Sequence, residues 1–307
     1  MAPDPFKRML QGSGRVESGT SPVGSALLIM ATATMWGTVA VIVKVMVREI
    51  DPALIAFVRM LLGGAALTIA LALTRGRIVP RRSWRLVAVG AVGIAFNYLF
   101  FTFGLRYTSA SAGAMVVQAE VIFLAALSVV FLKEPFGARK VAGMAIALAG
   151  VVIISWNGKD LSSLLGSDYL LGNVIIVLGG LFWAFYALSQ KRLGQDREVL
   201  SSLSPIFLLS ALILLPFALG SVGDLARLTG VEVLGLLYLG LVCTGLAYLL
   251  LAKGMKAVAA STAGVLTTLM PVSSVILAHI FLGEGMSLYM GLGAALDLGG
   301  IVLVLRG

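Results

Sequence analysis

Ten long apolar runs constrain the fold of this chain more than any other feature of its sequence. Each run has about the 20 residues that a helix needs to cross the roughly 30 Å hydrocarbon core of a bilayer. Strands of a membrane β-barrel would be about half as long and would alternate polar with apolar residues, so that architecture is excluded. The predicted spans one to ten are Val23–Val47, Ala53–Thr74, Trp84–Leu105, Ser109–Leu132, Ala138–Trp156, Tyr169–Gln190, Ser202–Leu219, Val233–Ala252, Ala257–Leu282 and Ser287–Leu305.

The composition excludes an ordinary soluble enzyme. Hydrophobic residues make up 59% of the 307 residues and charged residues only 12%, whereas soluble domains are about half apolar and a quarter charged. A net charge of +9 would suggest nucleic-acid binding in a soluble protein. Here the basic residues lie between apolar runs, so we interpret them as determinants of membrane topology and expect no nucleic-acid partner. The single cysteine, Cys243, lies in an apolar run and is expected to be a buried, inert thiol.

Lysine and arginine are distributed unequally between the two sides of the predicted bundle. Seventeen of them lie on the side of the termini, five lie on the other side, and Arg59 lies inside span two. The positive-inside rule therefore predicts that both termini, including the polar tail of residues 1–21, are cytoplasmic in a bacterial-type inner membrane. The expected partners are the lipid bilayer and a small-molecule substrate, and the sequence is compatible with a monomer.

The two halves of the chain are related by an internal repeat. The predicted repeats cover residues 22–157 and 168–307, and each contains five spans. Because five is odd, the second repeat enters the membrane from the opposite side, which makes the halves inverted copies as in many secondary transporters. The fold class is therefore an all-α polytopic membrane protein of ten transmembrane helices in two inverted five-helix repeats. The matches at a shift of 150 positions include Gly90 with Gly240, Tyr98 with Tyr248, Ser111 with Ser261, Glu134 with Glu284, Gly143 with Gly293, and Gly150 with Gly300.

These repeated motifs resemble the drug/metabolite transporter superfamily, with two EamA-type repeats. The resemblance is carried by Phe131-Leu-Lys-Glu134 and Phe281-Leu-Gly-Glu284, by Trp36-Gly37, by Phe57-Val-Arg59 and by the segment 104–111. Within the superfamily the chain is most similar to YddG-type amino-acid exporters. The resemblance implies a secondary transporter that exports small metabolites, with amino acids as the expected substrates, by alternating access. A multidrug or organic-cation exporter of the same fold is the alternative.

The sequence departs from the family pattern in span four. The family often has a proline in the fourth span of each repeat, and the second repeat has it at Pro271, where a helix bend is expected. The first repeat has Glu120-Val121 instead, which puts a carboxyl group inside the bilayer. That carboxyl group must be protonated, paired or in contact with water. We expect Glu120, Arg59 and Asp297 to act either in coupling or as structural ion pairs.

Aromatic and polar side chains in the middle of the spans are candidates for a substrate cavity. Rings bind the apolar part of an amphipathic substrate, and amide and hydroxyl groups bind its polar part. Core packing is the alternative interpretation of the same residues. The choice of spans one, three, four, six, eight and nine follows the family resemblance. The predicted cavity residues are Trp36, Asn97, Tyr98, Gln118, Trp183, Tyr186, Tyr248, Thr267 and Ser274.

Small residues on spans five and ten predict close helix packing. The predicted stripes are Gly143, Ala147 and Gly150 on span five, and Gly291, Ala295 and Gly299 on span ten. Glu134 and Glu284 lie at membrane edges beside short turns, where helix capping or turn stabilisation is expected rather than transport chemistry.

Intramembrane enzymes are a competing class that the sequence does not favour. An aspartyl protease needs two carboxylates, and Asp297 is the only aspartate within the predicted spans. A zinc protease needs clustered histidines, and the chain has one, His279. No Walker A motif accompanies the spans, so pumping driven by ATP is not expected. We therefore predict a transporter that is not an enzyme, with no catalytic residue, no cofactor and no metal site; a channel is a third class that inverted repeats permit.

Overall fold

The structure is a computed structural model of the chain. It describes residues 22–74, 76, 83–132, 137–158, 167–193, 199–254, 266–267 and 269–305. The tail of residues 1–21, Glu134 and the start of predicted span nine lie outside the described residues.

Helices occupy all ten predicted spans in the described part of the chain, which confirms the predicted fold class. Six of these helices are long and apolar enough to cross a membrane, and four are shorter apolar helices. Apolar side chains on the outer faces of the bundle are exposed, as a lipid environment requires. The ten spans run Pro22–Met46, Pro52–Leu73, Trp84–Tyr107, Ala110–Val116 with Ala119–Leu132, Ala138–Trp156, Asp168–Leu193, Val199–Ala218, Gly230–Leu237 with Ala247–Gly254, Leu269–Leu282 and Leu288–Leu305.

Two spans depart from a regular α-helix. Span four is interrupted at Val117 and Gln118, where the amide of Gln118 donates to the carbonyl of Met115 at 3.2 Å instead of making an α-helical bond. Span eight contains a π-helical segment, Tyr238–Leu246, between its two α-helical parts. Such irregular backbone is tolerated at membrane depth only where it is buried in protein or lines a cavity, and π-helical turns are frequent at functional sites.

The contacts between helices follow the inverted repeat. Spans two and seven pack against each other, and so do spans five and ten. Spans three and four of the first repeat both pack on span six. Their counterparts in the second repeat, spans eight and nine, both pack on span one, which is the counterpart of span six. Each of these contacts joins one repeat to the other, so the interface between the repeats forms the core of the bundle.

Spans five and ten approach at backbone distance. A Cβ atom on Gly150 would lie 2.5 Å from the backbone nitrogen of Asp297, and one on Gly293 would lie 2.7 Å from the carbonyl oxygen of Gly150. The predicted stripe on span five is therefore confirmed by this contact. The predicted stripe on span ten is wrong, since Cβ atoms on Gly291 and Gly299 would meet no described heavy atom within 4 Å. The packing face of span ten instead carries Gly293 and Gly300, which the repeat pairs with Gly143 and Gly150.

The approach of spans five and ten predicts a strong position dependence for glycine substitutions. Gly150→Val should lower the unfolding temperature, because overpacking costs on the order of 1–3 kcal/mol. Gly299→Val, on the same pair of helices but at an open position, should leave it unchanged. Thermal unfolding of the purified variants in detergent measures both, and equal unfolding temperatures would contradict the described helix contact.

Candidate functional site

A central cavity lies between the two repeats, in the middle of the bundle. It has a volume of about 60 Å³, enough for a few water molecules and much smaller than the several hundred cubic ångströms of typical ligand sites. Seven of the ten spans contribute to it, from both repeats. Its described lining consists of Trp36, Val39, Arg59, Asn97, Tyr98, Phe101, Val117, Glu120, Trp183, Tyr248 and Met270.

Aromatic rings form one wall of the cavity. The rings of Trp36 and Tyr248 lie 5.1 Å apart between centroids, and Tyr186 packs edge-on against Tyr248 at 5.8 Å from behind. Trp183 completes the row at 6.5 Å from Tyr186. Edge-on and tilted contacts at these distances are the favourable ones for aromatic pairs, so the wall is a rigid surface that presents indole and phenol faces.

Arg59 brings a positive charge to this cavity. Its side chain is only 3% exposed, and its guanidinium carbon lies 4.3 Å from the ring centroid of Tyr98, a cation–π contact. The Nε atom is buried without a hydrogen-bond partner among the described residues. A guanidinium group offers five N–H donors, so Arg59 retains donors for an anionic group.

Glu120 brings a carboxyl group to the same cavity. It lies in the first turn after the interruption of span four, where the helix dipole favours a negative charge. Gly180 of span six allows the approach, since a Cβ atom there would lie 3.1 Å from the backbone nitrogen of Glu120. The Glu120 carboxyl group makes no hydrogen bond or ion pair within the described part of the chain, and none with Arg59. The expected roles of Glu120 and Arg59 were coupling or a structural ion pair. The ion pair between them is not formed in this structure.

Hydrogen bonds hold the polar and aromatic side chains around the cavity in place. The indole nitrogen of Trp36 donates to the carbonyl of Cys243 in the π-helical segment at 3.0 Å. Asn97 donates to the carbonyl of Gly179 at 3.1 Å, and the Tyr98 hydroxyl lies 3.3 Å from that of Thr244. Cys243 itself is buried and free. Each of these hydrogen bonds joins one repeat to the other, so a relative movement of the repeats would change the shape of the site.

The structure brings five of the nine predicted cavity residues to the lining: Trp36, Asn97, Tyr98, Trp183 and Tyr248. Tyr186 stands behind Tyr248, and the other three lie outside the described lining. Gln118 is buried at the interruption of span four, where the face that carries Val117 and Glu120 turns to the cavity instead. Thr267 and Ser274 lie on span nine, whose Met270 reaches the cavity in their place.

Pro271 and Asp297 belong to a different place. Both line a second cavity of about 300 Å³ between spans four, nine and ten. Asp297 is therefore not a partner of Arg59 in the central cavity.

Some lining residues have no sequence signal of their own. Val39, Phe101, Val117 and Met270 are apolar residues in apolar spans. Helical spacing indicates one of them, since Val117 lies three positions before Glu120 and so shares its helical face. No described group of three or more His, Cys, Asp and Glu side chains could hold a metal ion.

The Glu284 carboxylate joins the two repeats at one end of the bundle, and Lys44 lies at the same end. The Glu284 carboxylate, in the turn after span nine, accepts hydrogen bonds from the amides of Ala110 and Ser111 at 2.9 Å and from the Ser111 hydroxyl at 2.7 Å. It thus caps span four of the other repeat, which confirms the capping role expected for this glutamate. Lys44 donates to the carbonyl of Leu105 at the nearby end of span three, at 2.8 Å.

Gly283 determines where Glu284 lies. Its φ of 64° is a left-handed conformation that glycine adopts without strain. The following amide, that of Glu284, turns back to the carbonyl of Ala278 at 3.3 Å, which is a common way to end a helix. The Phe-Leu-Gly-Glu sequence is therefore a helix stop that delivers a carboxylate across the repeat interface.

Both halves of the chain match one protein family. Residues 24–156 and residues 170–306 each match the EamA-like transporter family. The chain belongs to this family. The two matches agree with the repeats predicted from the sequence, and they support a membrane transporter, which is not an enzyme.

Similar proteins with curated names are also transporters. An uncharacterized transporter of Archaeoglobus fulgidus is 28% identical over 282 residues, which cover 90% of this chain and 96% of the relative. The uncharacterized transporter YwfM of Bacillus subtilis is 29% identical, with 91% of this chain and 93% of the relative covered. The uncharacterized inner membrane transporter YhbE of Escherichia coli is 29% identical, with 80% and 77% covered. A solved crystal structure has the same fold, with a TM-score of 0.65 and 20% identity over 92% of this chain and 96% of that chain.

The aromatic wall predicts a large functional effect for one tryptophan in this EamA-like transporter. Trp183→Ala should reduce the transport rate roughly tenfold or more, because a desolvated indole contact is worth about 2 kcal/mol. Folding should suffer little, since the ring faces the cavity. Trp84→Ala, at an exposed site outside the cavity, is the matched control. Transport into proteoliposomes and the elution profile of the purified variants measure the two effects; equal transport by both variants would argue against the cavity.

Proposed function

We propose that this EamA-like transporter exports small amphipathic metabolites, with amino acids as substrates, by alternating access of its two repeats. The cavity lies at the interface of two inverted copies, which is where secondary transporters bind their substrates. If each repeat exchanges its conformation with the other, the same cavity opens to opposite sides of the membrane. The small cavity volume supports this mechanism, since a substrate needs the repeats to move apart before it can enter.

The observation that carries the choice of substrate is that Arg59 and Glu120 line one cavity without an ion pair between them. A guanidinium group binds a carboxylate through paired hydrogen bonds, and a carboxylate binds an ammonium group. A zwitterionic amino acid carries both groups and leaves its side chain for the indole and phenol rings of Trp36, Trp183 and Tyr248. This arrangement also agrees with the sequence resemblance to YddG-type exporters.

An organic-cation exporter is the second candidate. Glu120 and the aromatic wall would suit a hydrophobic cation equally well. Arg59 argues against it, because a like charge in the same cavity repels the substrate. The two candidates differ in whether the transported molecule needs a carboxylate.

Counterflow into proteoliposomes tests these candidates directly. Vesicles loaded with an unlabelled solute and diluted into the labelled solute should accumulate label transiently if the protein carries that solute. A panel should pair labelled amino acids with the corresponding amines, which lack only the carboxylate. Uptake no faster than in empty liposomes for every solute would overturn the proposal.

Substitutions of Arg59 and Glu120 separate recognition of the substrate's carboxylate from recognition of its ammonium group. Arg59→Gln should lower amino-acid counterflow on the order of tenfold or more, the usual cost of removing one partner of a buried charge pair. It should not lower counterflow of the amine, because Arg59 only repels an ammonium group. Glu120→Gln should lower both, because the ammonium group is common to them. Arg106→Gln, an exposed arginine outside the cavity, is the control. Loss of amine and amino acid alike in Arg59→Gln would contradict a carboxylate-binding role.

We further propose facilitated export along the substrate gradient, because few titratable side chains lie within the spans. Proton exchange through Glu120 is the alternative. The same vesicles under an imposed pH gradient distinguish the two. If the wild type accumulates substrate against its gradient and Glu120→Gln only equilibrates it, Glu120 carries protons and facilitated transport is wrong.

The proposed location is an inner membrane of bacterial type with both termini in the cytoplasm. The support is the excess of seventeen basic residues over five on the side of the termini, and the name of YhbE, an inner membrane transporter. With this orientation, Glu284 and Lys44 lie at the external end of the bundle. We infer that the Glu284 contact, which joins the two repeats, holds that end closed.

Weakening the Glu284 contact should therefore open the external end. Glu284→Gln keeps the shape of the side chain but replaces one acceptor oxygen with an amide, and it loses the favourable charge at the start of span four. A cysteine introduced at Val39, in a Cys243→Ser background, should then react faster with an impermeant maleimide added outside. Glu232→Gln is the control, since the described hydrogen bonds of this glutamate cap only its own helix, through Thr229. An unchanged reaction rate in Glu284→Gln would contradict the role of this contact.

A further inference from the structure

The second cavity, between spans four, nine and ten, is larger than the central one. Its volume of about 300 Å³ lies at the lower end of the range of small-molecule sites. Apolar side chains form almost all of its described lining, and it shares no described lining residue with the central cavity. Asp297 is the only charged residue in that lining, whose members are Met115, Pro271, Val272, Val275, Ile276, Met286, Gly291, Ala294, Asp297 and Leu298.

Asp297 has no partner in the described part of the chain. The residue is 1% exposed, and its Oδ1 atom is buried without a hydrogen bond. No other hydrogen bond or ion pair of its carboxyl group occurs among the described residues. Its backbone is fixed, because Gly150 of span five packs directly against it. A carboxyl group held in this way at membrane depth is costly in its charged form unless a cation balances it, so it stays protonated or pairs with a cation.

The mouth of this cavity faces the bilayer. Val272 and Ile276 on span nine and Met286 in the following turn lie on its rim, and all three are among the exposed apolar residues of the bundle. These residues belong to the exposed apolar surface of span nine and of the turn that follows it. A ligand would therefore enter from the hydrocarbon phase and must be hydrophobic over most of its surface.

We propose that this cavity binds hydrophobic organic cations from the bilayer, with Asp297 as the counter-ion. The cation neutralises the one buried carboxylate, and the apolar body fills the walls that Met115, Val275 and Leu298 provide. A lipid acyl chain would fill the walls but would leave the carboxyl group unpaired. A metal ion is disfavoured, since no described cluster of three or more acidic, His or Cys side chains surrounds Asp297. The proposal does not depend on what the central cavity carries.

Tetraphenylphosphonium and tetraphenylborate test the proposal as a matched pair, because they share shape and hydrophobicity and differ in the sign of their charge. Binding to the full-length protein in nanodiscs should be measured by equilibrium dialysis. The wild type should bind the phosphonium and not the borate above the level of empty nanodiscs. Asp297→Asn, which preserves the size of the side chain, should weaken phosphonium binding on the order of tenfold or more.

Two glycines on span ten supply a steric test that leaves Asp297 in place. Gly291 lines the cavity and Gly299 does not, and a Cβ atom on either would meet no described atom within 4 Å. Gly291→Phe should therefore block phosphonium binding while Gly299→Phe preserves it. Both variants should elute as the wild type does, so that lost binding is not a folding defect.

Glu120→Gln decides between the two cavities. Phosphonium binding that is unchanged in Glu120→Gln and weakened in Asp297→Asn supports the proposal. Binding that is lost in Glu120→Gln and kept in Asp297→Asn places the cation in the central cavity, and this overturns the proposal and favours the organic-cation alternative for transport. Equal binding of the phosphonium and the borate would also overturn it, since a purely apolar groove does not distinguish their charges.

Discussion

Hydrocarbon offers no hydrogen bonds, and the whole architecture of this protein follows from that constraint. Backbone groups must be satisfied within helices, so the chain crosses the membrane as helices and places its irregular backbone inside the bundle. The interruption of span four and the π-helical part of span eight lie beside the central cavity. Glu120 follows the interruption and lines the cavity, and the Cys243 carbonyl in the π-helical part accepts a hydrogen bond from Trp36. Among the described residues, Arg59 and Asp297 are the only charged side chains classed as buried. Each of them faces a cavity.

Much of the fold could be predicted from the sequence because its signals are long and repeated. Apolar runs of helical length set the number of spans, and the matches between Glu134 and Glu284 or Gly150 and Gly300 set the repeat. The packing face of span ten was mispredicted for a local reason. Small residues occur on two faces of that helix, and only the repeat relation with span five identifies Gly293 and Gly300 as the contact.

The site was less predictable than the fold, since helical periodicity fails where the helix is irregular. Gln118 and Glu120 lie on different faces of span four, and the sequence does not say which face meets the cavity; in the structure it is the face of Val117 and Glu120, next to the interruption. The π-helical segment of span eight likewise has no sequence signature. The two mid-span tryptophans are the clearest sequence signal for the lining, because an indole N–H group needs a partner within the bundle, and Trp36 uses a carbonyl of the other repeat. Asp297 was recognised as unusual, but its separation from Arg59 depends on which helices are neighbours.

The pairing of helices across the repeats has a consequence for biosynthesis. Spans one, two, three and five find their main partners in spans nine, seven, six and ten, which the ribosome produces later. The first five helices therefore enter the membrane before the surfaces that complete them exist. During that interval Arg59 and Glu120 lack the part of the cavity wall that spans six, eight and nine provide. The first repeat is therefore incomplete when it enters the membrane, and we expect the insertion machinery to shelter Arg59 and Glu120 until the ninth helix has been made.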